Sequence, residues 1–199
     1  MTSGEGGMVN RYQLREGLVA ATAIVEDGAS IGKGVQIWNF SQVRSGAALG
    51  DGTVLGKDCF VDAGVVIGER CKIQNGSQIY APAILQDGVF VGPRVVLTND
   101  RFPRAIFPTG ALLGADDWQA IGCVLEEGCA VGAASVIICT TVGAWATVGA
   151  GSVVTHPVKP HALVVGNPAR QVGWVCFCGR RADGLCAVCG WIAPTMPSS

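Results

Sequence analysis

The chain has 199 residues, 49% of them apolar and 15% charged, with a formal net charge of −1. An apolar, near-neutral chain is not a disordered one, and 14 Lys+Arg against 15 Asp+Glu leave no basic surplus for nucleic acid. Glycine, at 29 residues, is about twice its usual share of roughly 7% but lacks the period of three that collagen requires, so the surplus needs another cause.

Residues 1–21 form an N-terminal segment without the basic start and long apolar core of a secretory leader, so a cytoplasmic location is expected. From Val25 onward, every sixth residue is a branched aliphatic: Val25, Ile31, Ile37, Val43, Leu49, Leu55, Val61, Ile67, Ile73, Ile79, Leu85, Val91 and Leu97. Two residues before each anchor stands a small or slim side chain, such as Ala29, Ser41, Thr53, Cys59, Cys71 and Ser77. Positions two apart on a strand face the same side, so both point inward. Glycine follows the anchor directly (Gly50, Gly56, Gly68) or three residues later (Gly46, Gly52, Gly64), at turn positions. Short strands joined by tight turns at a fixed period predict a β-solenoid. With three sides to a turn, each coil holds about 18 residues, stacked about 4.8 Å apart.

The period stops after Leu97. Residues 98–120, with Pro103 and Pro108, are an excursion loop from the solenoid. It resumes at Leu125, Val131 and Ile137, slips by one residue to Val142, Val148 and Val154, and ends at Pro157 and Pro160. The stretch 129–157 has no Asp, Glu, Lys or Arg and is long enough to cross a bilayer. Its glycines at 132, 143, 149 and 151 fit buried β-structure better, and no membrane association is expected. The solenoid is thus expected over 22–158, with a connector over 159–174.

The corners carry the polar groups. One edge reads Trp38-Asn39-Phe40, Gly56-Lys57-Asp58, Gln74-Asn75-Gly76 and Gly92-Pro93-Arg94, with Asn39 and Asn75 in one column. Another reads Asp62-Ala63-Gly64, Tyr80-Ala81-Pro82 and Thr98-Asn99-Asp100, with Tyr80 one coil from the excursion. Asn also substitutes for Gly in left-handed turns, and that bland reading stands beside a functional one for Asn39. Only His156 and His161 could serve as imidazole bases, and both lie beyond the last coil, where they read as exposed turn residues. This counts against a three-histidine zinc enzyme and against acylation of a hydroxyl, which needs a base. A neutral amine needs no such activation.

Five cysteines (59, 71, 123, 129 and 139) fall within or beside coils and read as core. The other four form Cys176-Phe-Cys178-Gly and Cys186-Ala-Val-Cys189-Gly. In a chain expected to stay reduced, two such pairs predict a zinc knuckle over residues 175–193, structural because four thiolates close the site.

Ile37-Trp-Asn-Phe-Ser, Lys72-Ile-Gln-Asn-Gly, Leu97-Thr-Asn-Asp-Arg-Phe-Pro-Arg104, Val148-Gly-Ala-Gly-Ser-Val-Val154 and Ala162-Leu-Val-Val-Gly-Asn-Pro-Ala-Arg170 resemble motifs of the N-acetyltransferases of nucleotide-linked 3-amino sugars. Those enzymes act on UDP-linked diacetamido uronic acids and dTDP-linked 3-amino-dideoxy hexoses. The resemblance spans residues 22–174 and implies an all-β, left-handed parallel β-helix, a homotrimer with sites between subunits, and acetyl-CoA as co-substrate. It implies that Asn75 contacts the substrate amine, that Asn99 and Asp100 flank the sugar, and that CoA lies along the later coils. The candidate site is then Asn75 and Asp100 for catalysis, with Asn39, Gln74, Tyr80, Asn99 and Arg104 on the nucleotide sugar. Ala133, Gly149 and Ala150 would line the CoA track, and Lys159 and Arg170 would meet its phosphates. Asn39 and Gln42 stand where the uronic-acid branch commonly has histidines, and the slip at Thr140-Thr141 falls where CoA is expected. The expected function is acetyl-CoA-dependent N-acetylation of a nucleotide-linked amino sugar. The alternatives are a non-catalytic scaffold recruiting through its knuckle, and an acyltransferase of a free aminoglycoside or aminocyclitol.

Overall fold

A computed structural model describes residues 17–195; most of the expected N-terminal segment lies outside that range. The described chain is almost wholly β. Strands of two or three residues wind in parallel into three sheets, the faces of a prism, and the first sheet is extended at its C-terminal end by Ala162–Gly166 and two antiparallel strands. The first face holds 10 strands, the second 7 and the third 6. Neighbouring strands pair in parallel at offsets of 18: Ile37 with Leu55, Val43 with Val61 and Leu49 with Ile67. This is the parallel β-solenoid expected from the six-residue period, and it is consistent with the left-handed β-helix of the resembling family.

The period works because each anchor fills the core. Ile37, Leu55, Ile73, Ile79, Leu97, Leu125 and Ile137 are all fully buried. The slim inward positions have a second task. Ser41 Oγ donates to Gly56 O at 2.6 Å and accepts from Cys59 N at 3.0 Å. Thr53, Ser77 and Ser135 bridge successive coils in the same way. A hydroxyl there satisfies corner groups that no strand ladder reaches. Cys59 and Cys71 reach corner carbonyls more weakly through Sγ, at 3.2 and 3.1 Å. The five cysteines read as core are all buried.

The one-residue slip is real. Leu125 pairs with Val142, Val131 with Val148 and Ile137 with Val154, each at an offset of 17. The excursion lies between paired coils, since Leu85 pairs with Leu125 and Leu97 with Ile137.

Both ends of the solenoid reach past the 22–158 read from the sequence. Pairing begins at Leu18–Val19, against Gln36–Ile37. It continues at Ala162–Gly166, whose Val164 stacks on Val148. The expected connector is therefore ordered β-structure. Ala169–Val175 turns back antiparallel on Ala162–Gly166, and Arg181–Ala182 pairs with it in turn. The periodic pattern missed these strands because they no longer repeat in six.

Candidate functional site

The edge between the first and second faces forms a continuous ladder. Asn39 O accepts from Asp58 N, Lys57 O from Gly76 N, Asn75 O from Arg94 N, Pro93 O from Ala134 N and Ala133 O from Gly151 N. This edge therefore carries Asn39, Gln74 and Asn75 and, two and three coils on from Asn75, Ala133 with Gly149 and Ala150. The span from Asn75 to Ala150 is about 14 Å at the usual strand spacing. The candidate amides and the candidate CoA track share one edge.

A groove of about 320 Å³ runs along it, lined by Trp38, Asn39, Lys57, Gln74 and Asn75 among others. Asn75 is exposed and Gln74 half-buried. Asn75 Oδ1 accepts from Lys57 N at 2.9 Å. Asp51 Oδ1 takes Lys33 N and Asp87 Oδ1 takes Glu69 N in the same manner on another edge, at 2.7 and 2.8 Å. Asn75 is thus a corner cap as well as a candidate catalytic group. One lone pair is committed, and its amide NH₂ has no partner among the described residues. Asn39 is tied from its other end, Nδ2 donating to Thr22 Oγ1 at 2.9 Å. Sequence reading missed both bonds, although the matching Asp at positions 51 and 87 is a signal for the capping role.

Asn99, Asp100, Tyr80 and Arg104 lie on a different edge, between the second and third faces. Asn99 Nδ2 donates to Ala81 O at 2.8 Å, and Asn99 O accepts from Ile121 N. Asn99 therefore clamps the two ends of the excursion onto the coil below. Asp100 Oδ1 accepts from Phe102 N at 2.8 Å, closing a turn. The Tyr80 ring lies 5.6 Å from that of Phe60. Arg104 is exposed and donates to its neighbour's carbonyl, Pro103 O. The excursion carries a short antiparallel bridge, Ile106 to Leu112, and a 3₁₀ turn, Ala115–Asp117. Arg101 ties it to Thr155 O at 3.0 Å. Within one chain the structure does not bring Asn75 and Asp100 together.

Lys159 and Arg170 converge on a third place. They line a cavity of about 400 Å³ at the C-terminal end of the solenoid, with His156, Val164, Ala169 and Gln171. Ala133, Gly149 and Ala150 do not line it.

Neither histidine approaches the amide edge. His156 Nδ1 and Thr155 Oγ1 are hydrogen-bonded at 2.8 Å. His161 is half-buried, which corrects its reading as an exposed turn residue. Its Nδ1 lies 2.9 Å from Val175 O, and its ring stacks on Trp191 at 4.4 Å.

The four C-terminal cysteines do converge, with all four Sγ atoms within 4.8 Å of one another. Cys176 and Cys178 lie 3.0 Å apart, and Cys178 and Cys186 3.7 Å. Backbone N–H groups of Cys189 and Val188 pull the Cys186 thiol down to about 6, while the neighbouring Cys176 sulfur pushes Cys178 up to about 12. In the solenoid, burial raises the thiols of Cys59, Cys71 and Cys123 and pushes that of Cys129 up to about 12. No helix among the described residues is long and apolar enough to cross a membrane.

Against known proteins, the model for bacterial transferase hexapeptide (six repeats) matches residues 64–99. The model for the hexapeptide repeat of succinyl-transferase matches residues 46–81 and 123–156. A dTDP-3-amino-3,6-dideoxy-alpha-D-galactopyranose 3-N-acetyltransferase of Aneurinibacillus thermoaerophilus is 48% identical over 56 residues, which is 28% of this chain and 29% of the relative. That match spans less than a third of the relative's length. Among solved structures, a putative acetyltransferase of Bacillus cereus is 22% identical over 77% of this chain and 78% of its own, with a TM-score of 0.45. AntD, an N-acyltransferase from Bacillus cereus solved with dTDP-4-amino-4,6-dideoxyglucose and coenzyme A, is 18% identical over 76% of this chain and 83% of its own, with a TM-score of 0.46.

Proposed function

We propose, for a chain that carries the hexapeptide repeats of the bacterial transferases, an acetyl-CoA-dependent N-acetyltransferase acting on the amino group of a nucleotide-linked sugar. The observation that carries this reading is the shared edge. The groove lined by the amides of Asn39, Gln74 and Asn75 lies on the same edge as the small residues Ala133, Gly149 and Ala150, two and three coils on. Small residues leave room for an extended pantetheine arm beside the coils. The 56-residue likeness to an acetyltransferase of a dTDP-linked 3-amino-dideoxy sugar supports the substrate class.

The chemistry suits a site without a histidine. A neutral amine attacks the thioester carbonyl carbon, a C–N bond forms, and the C–S bond breaks as CoA thiolate leaves. Orientation, an oxyanion donor and a sink for the amine proton are what the protein must add. Asn75 can accept from the amine with its remaining lone pair, and its NH₂ can donate to the forming oxyanion. A backbone N–H of the coil holds the oxyanion, and the departing thiolate takes the proton. Asp100 assists only if the loop edge of one chain meets the amide edge of another, which a homotrimer would provide. Lys159 and Arg170 offer positive charge for CoA phosphates at the end of the solenoid. The four-cysteine cluster is read as a closed structural zinc site with no part in acyl transfer.

The test is thiol release from acetyl-CoA across UDP- and dTDP-linked 3-amino sugars, with free aminoglycosides as the comparison. Turnover on a nucleotide-linked amine, lost without the nucleotide, supports the reading. No turnover on any amine would favour the scaffold.

A further inference from the structure

The zinc reading leaves open what the metal is for. A tetrahedron of thiolates around zinc, with bonds of about 2.3 Å, has edges of about 3.8 Å. The sulfur separations, from 3.0 Å to within 4.8 Å, bracket that edge and lie outside bonding distance for a disulfide. Each cysteine pair closes a turn, the first over three residues and the second over four. Gly179 N donates to Cys176 O and Gly190 N to Cys186 O, and both glycines hold left-handed φ, at 74° and 73°.

The cluster's aromatic neighbours reach onto the solenoid. Phe177 sits between the first two ligands and Trp191 follows the last. Their rings bracket His161, Trp191 stacked at 4.4 Å and Phe177 edge-on at 4.7 Å. Phe177 also meets Trp145 edge-on at 5.1 Å, and Trp145 in turn lies over Gly128. His161 belongs to the last corner of the solenoid, where its N–H donates to Ala144 O. It also clamps the residue before Cys176 twice: Val175 N donates to His161 O at 2.8 Å, and His161 Nδ1 donates to Val175 O. Val175 ends the same strand, Ala169–Val175, that places Arg170 over the terminal cavity.

We propose that the four cysteines bind one zinc ion whose role is to dock the knuckle on the solenoid, clasping His161 between Phe177 and Trp191 and so fixing the Arg170-bearing strand over the cavity. The segment is too short for a core of its own, so the metal supplies the order that packing cannot. The inference rests on the zinc reading, and the experiment separates the two.

The full-length protein, purified without added metal, is assayed for zinc per chain and for hydrogen exchange at residues 169–176. The expected wild-type content is one zinc per chain, abolished in Cys186→Ser. His161→Ala keeps the backbone carbonyl that Val175 N–H uses and touches no ligand. It should retain one zinc, yet expose the Val175 and Cys176 amides to exchange at least tenfold faster. Wild type without zinc, or Cys186→Ser with it, overturns the metal site. Zinc retained in His161→Ala with wild-type protection at Val175 overturns the clasp. Neither readout depends on acyl transfer.

Discussion

Asn75 holds two roles that a single alanine substitution cannot separate, but Asn75→Asp can. The carboxylate keeps an oxygen for Lys57 N–H, and Asp51 and Asp87 already fill that geometry at 2.7 and 2.8 Å. What disappears is the NH₂ donor, and a charge arrives in the groove. The corner bond is exposed and worth about 1 kcal/mol at most, or roughly 2–4 °C of Tm for a chain this long. Loss of one preorganised polar group at a reacting centre costs far more, about 10²–10³ in kcat. Asn75→Asp should therefore keep wild-type Tm within about 1 °C and lose at least about 100-fold in kcat/KM. Asp51→Ala is the matched control, which removes an equivalent cap on another edge. It should lower Tm by about 2–4 °C and leave the rate unchanged. The assay is steady-state thiol release with thermal unfolding on the same samples. An Asn75→Asp rate within about threefold of wild type, or an Asp51→Ala rate equally depressed, would refute the reasoning.

Three further outcomes follow from the structure. Lys159→Ala with Arg170→Ala should raise KM for acetyl-CoA about fivefold, as expected of exposed charge pairs; an acetylated pantetheine without phosphates should show no such change, and an equal rise for both donors would remove these residues from phosphate binding. Gly128→Ala should destabilise by about 1–3 kcal/mol, because φ is 64° and a Cβ would sit 2.7 Å from the Trp145 ring. Thermal unfolding measures that, and an unchanged Tm would mean the ring is free to move. Stability should fall as pH rises above about 8.5, the unfolded thiol value, since burial holds the Cys129 proton up to about 12. The raised group contributes fully below the unfolded value and loses its contribution as pH climbs toward the folded one. Cys129→Ala should flatten the Tm profile between pH 8 and 10, and a slope identical to wild type would contradict it.

The solenoid was legible because its determinant is one-dimensional. An anchor every sixth residue places Ile37 above Leu55 and Leu55 above Ile73 without knowledge of anything else. Even the slip survived translation, from Val142 in the pattern to Leu125 over Val142 in the sheet. Edge membership was legible for the same reason, so Asn39 and Asn75 share a column. What the period cannot carry is what happens between columns. The capping bond from Asn75 to Lys57 N depends on side-chain direction at a corner. The meeting of Lys159 with Arg170, and of His161 with Phe177 and Trp191, depends on strands that have left the repeat. The separation of Asn75 from Asp100 onto different edges was visible in the columns. The motif resemblance grouped them nonetheless.

The excursion bears on how such a chain can acquire a new loop. Coil neighbours are ordinarily 18 residues apart in sequence, as with Ile67 and Leu85, and across the excursion they are 40 apart, as with Leu85 and Leu125. The entropy of closing the longer segment grows only with the logarithm of its length, and adds about 0.7 kcal/mol. One hydrogen bond of the kind Asn99 makes to Ala81 O offsets that. Because each coil leans only on its neighbours, the insertion leaves every other register where it was. A solenoid of this kind can grow an arm at one corner at almost no thermodynamic cost, and tie it down with a single asparagine.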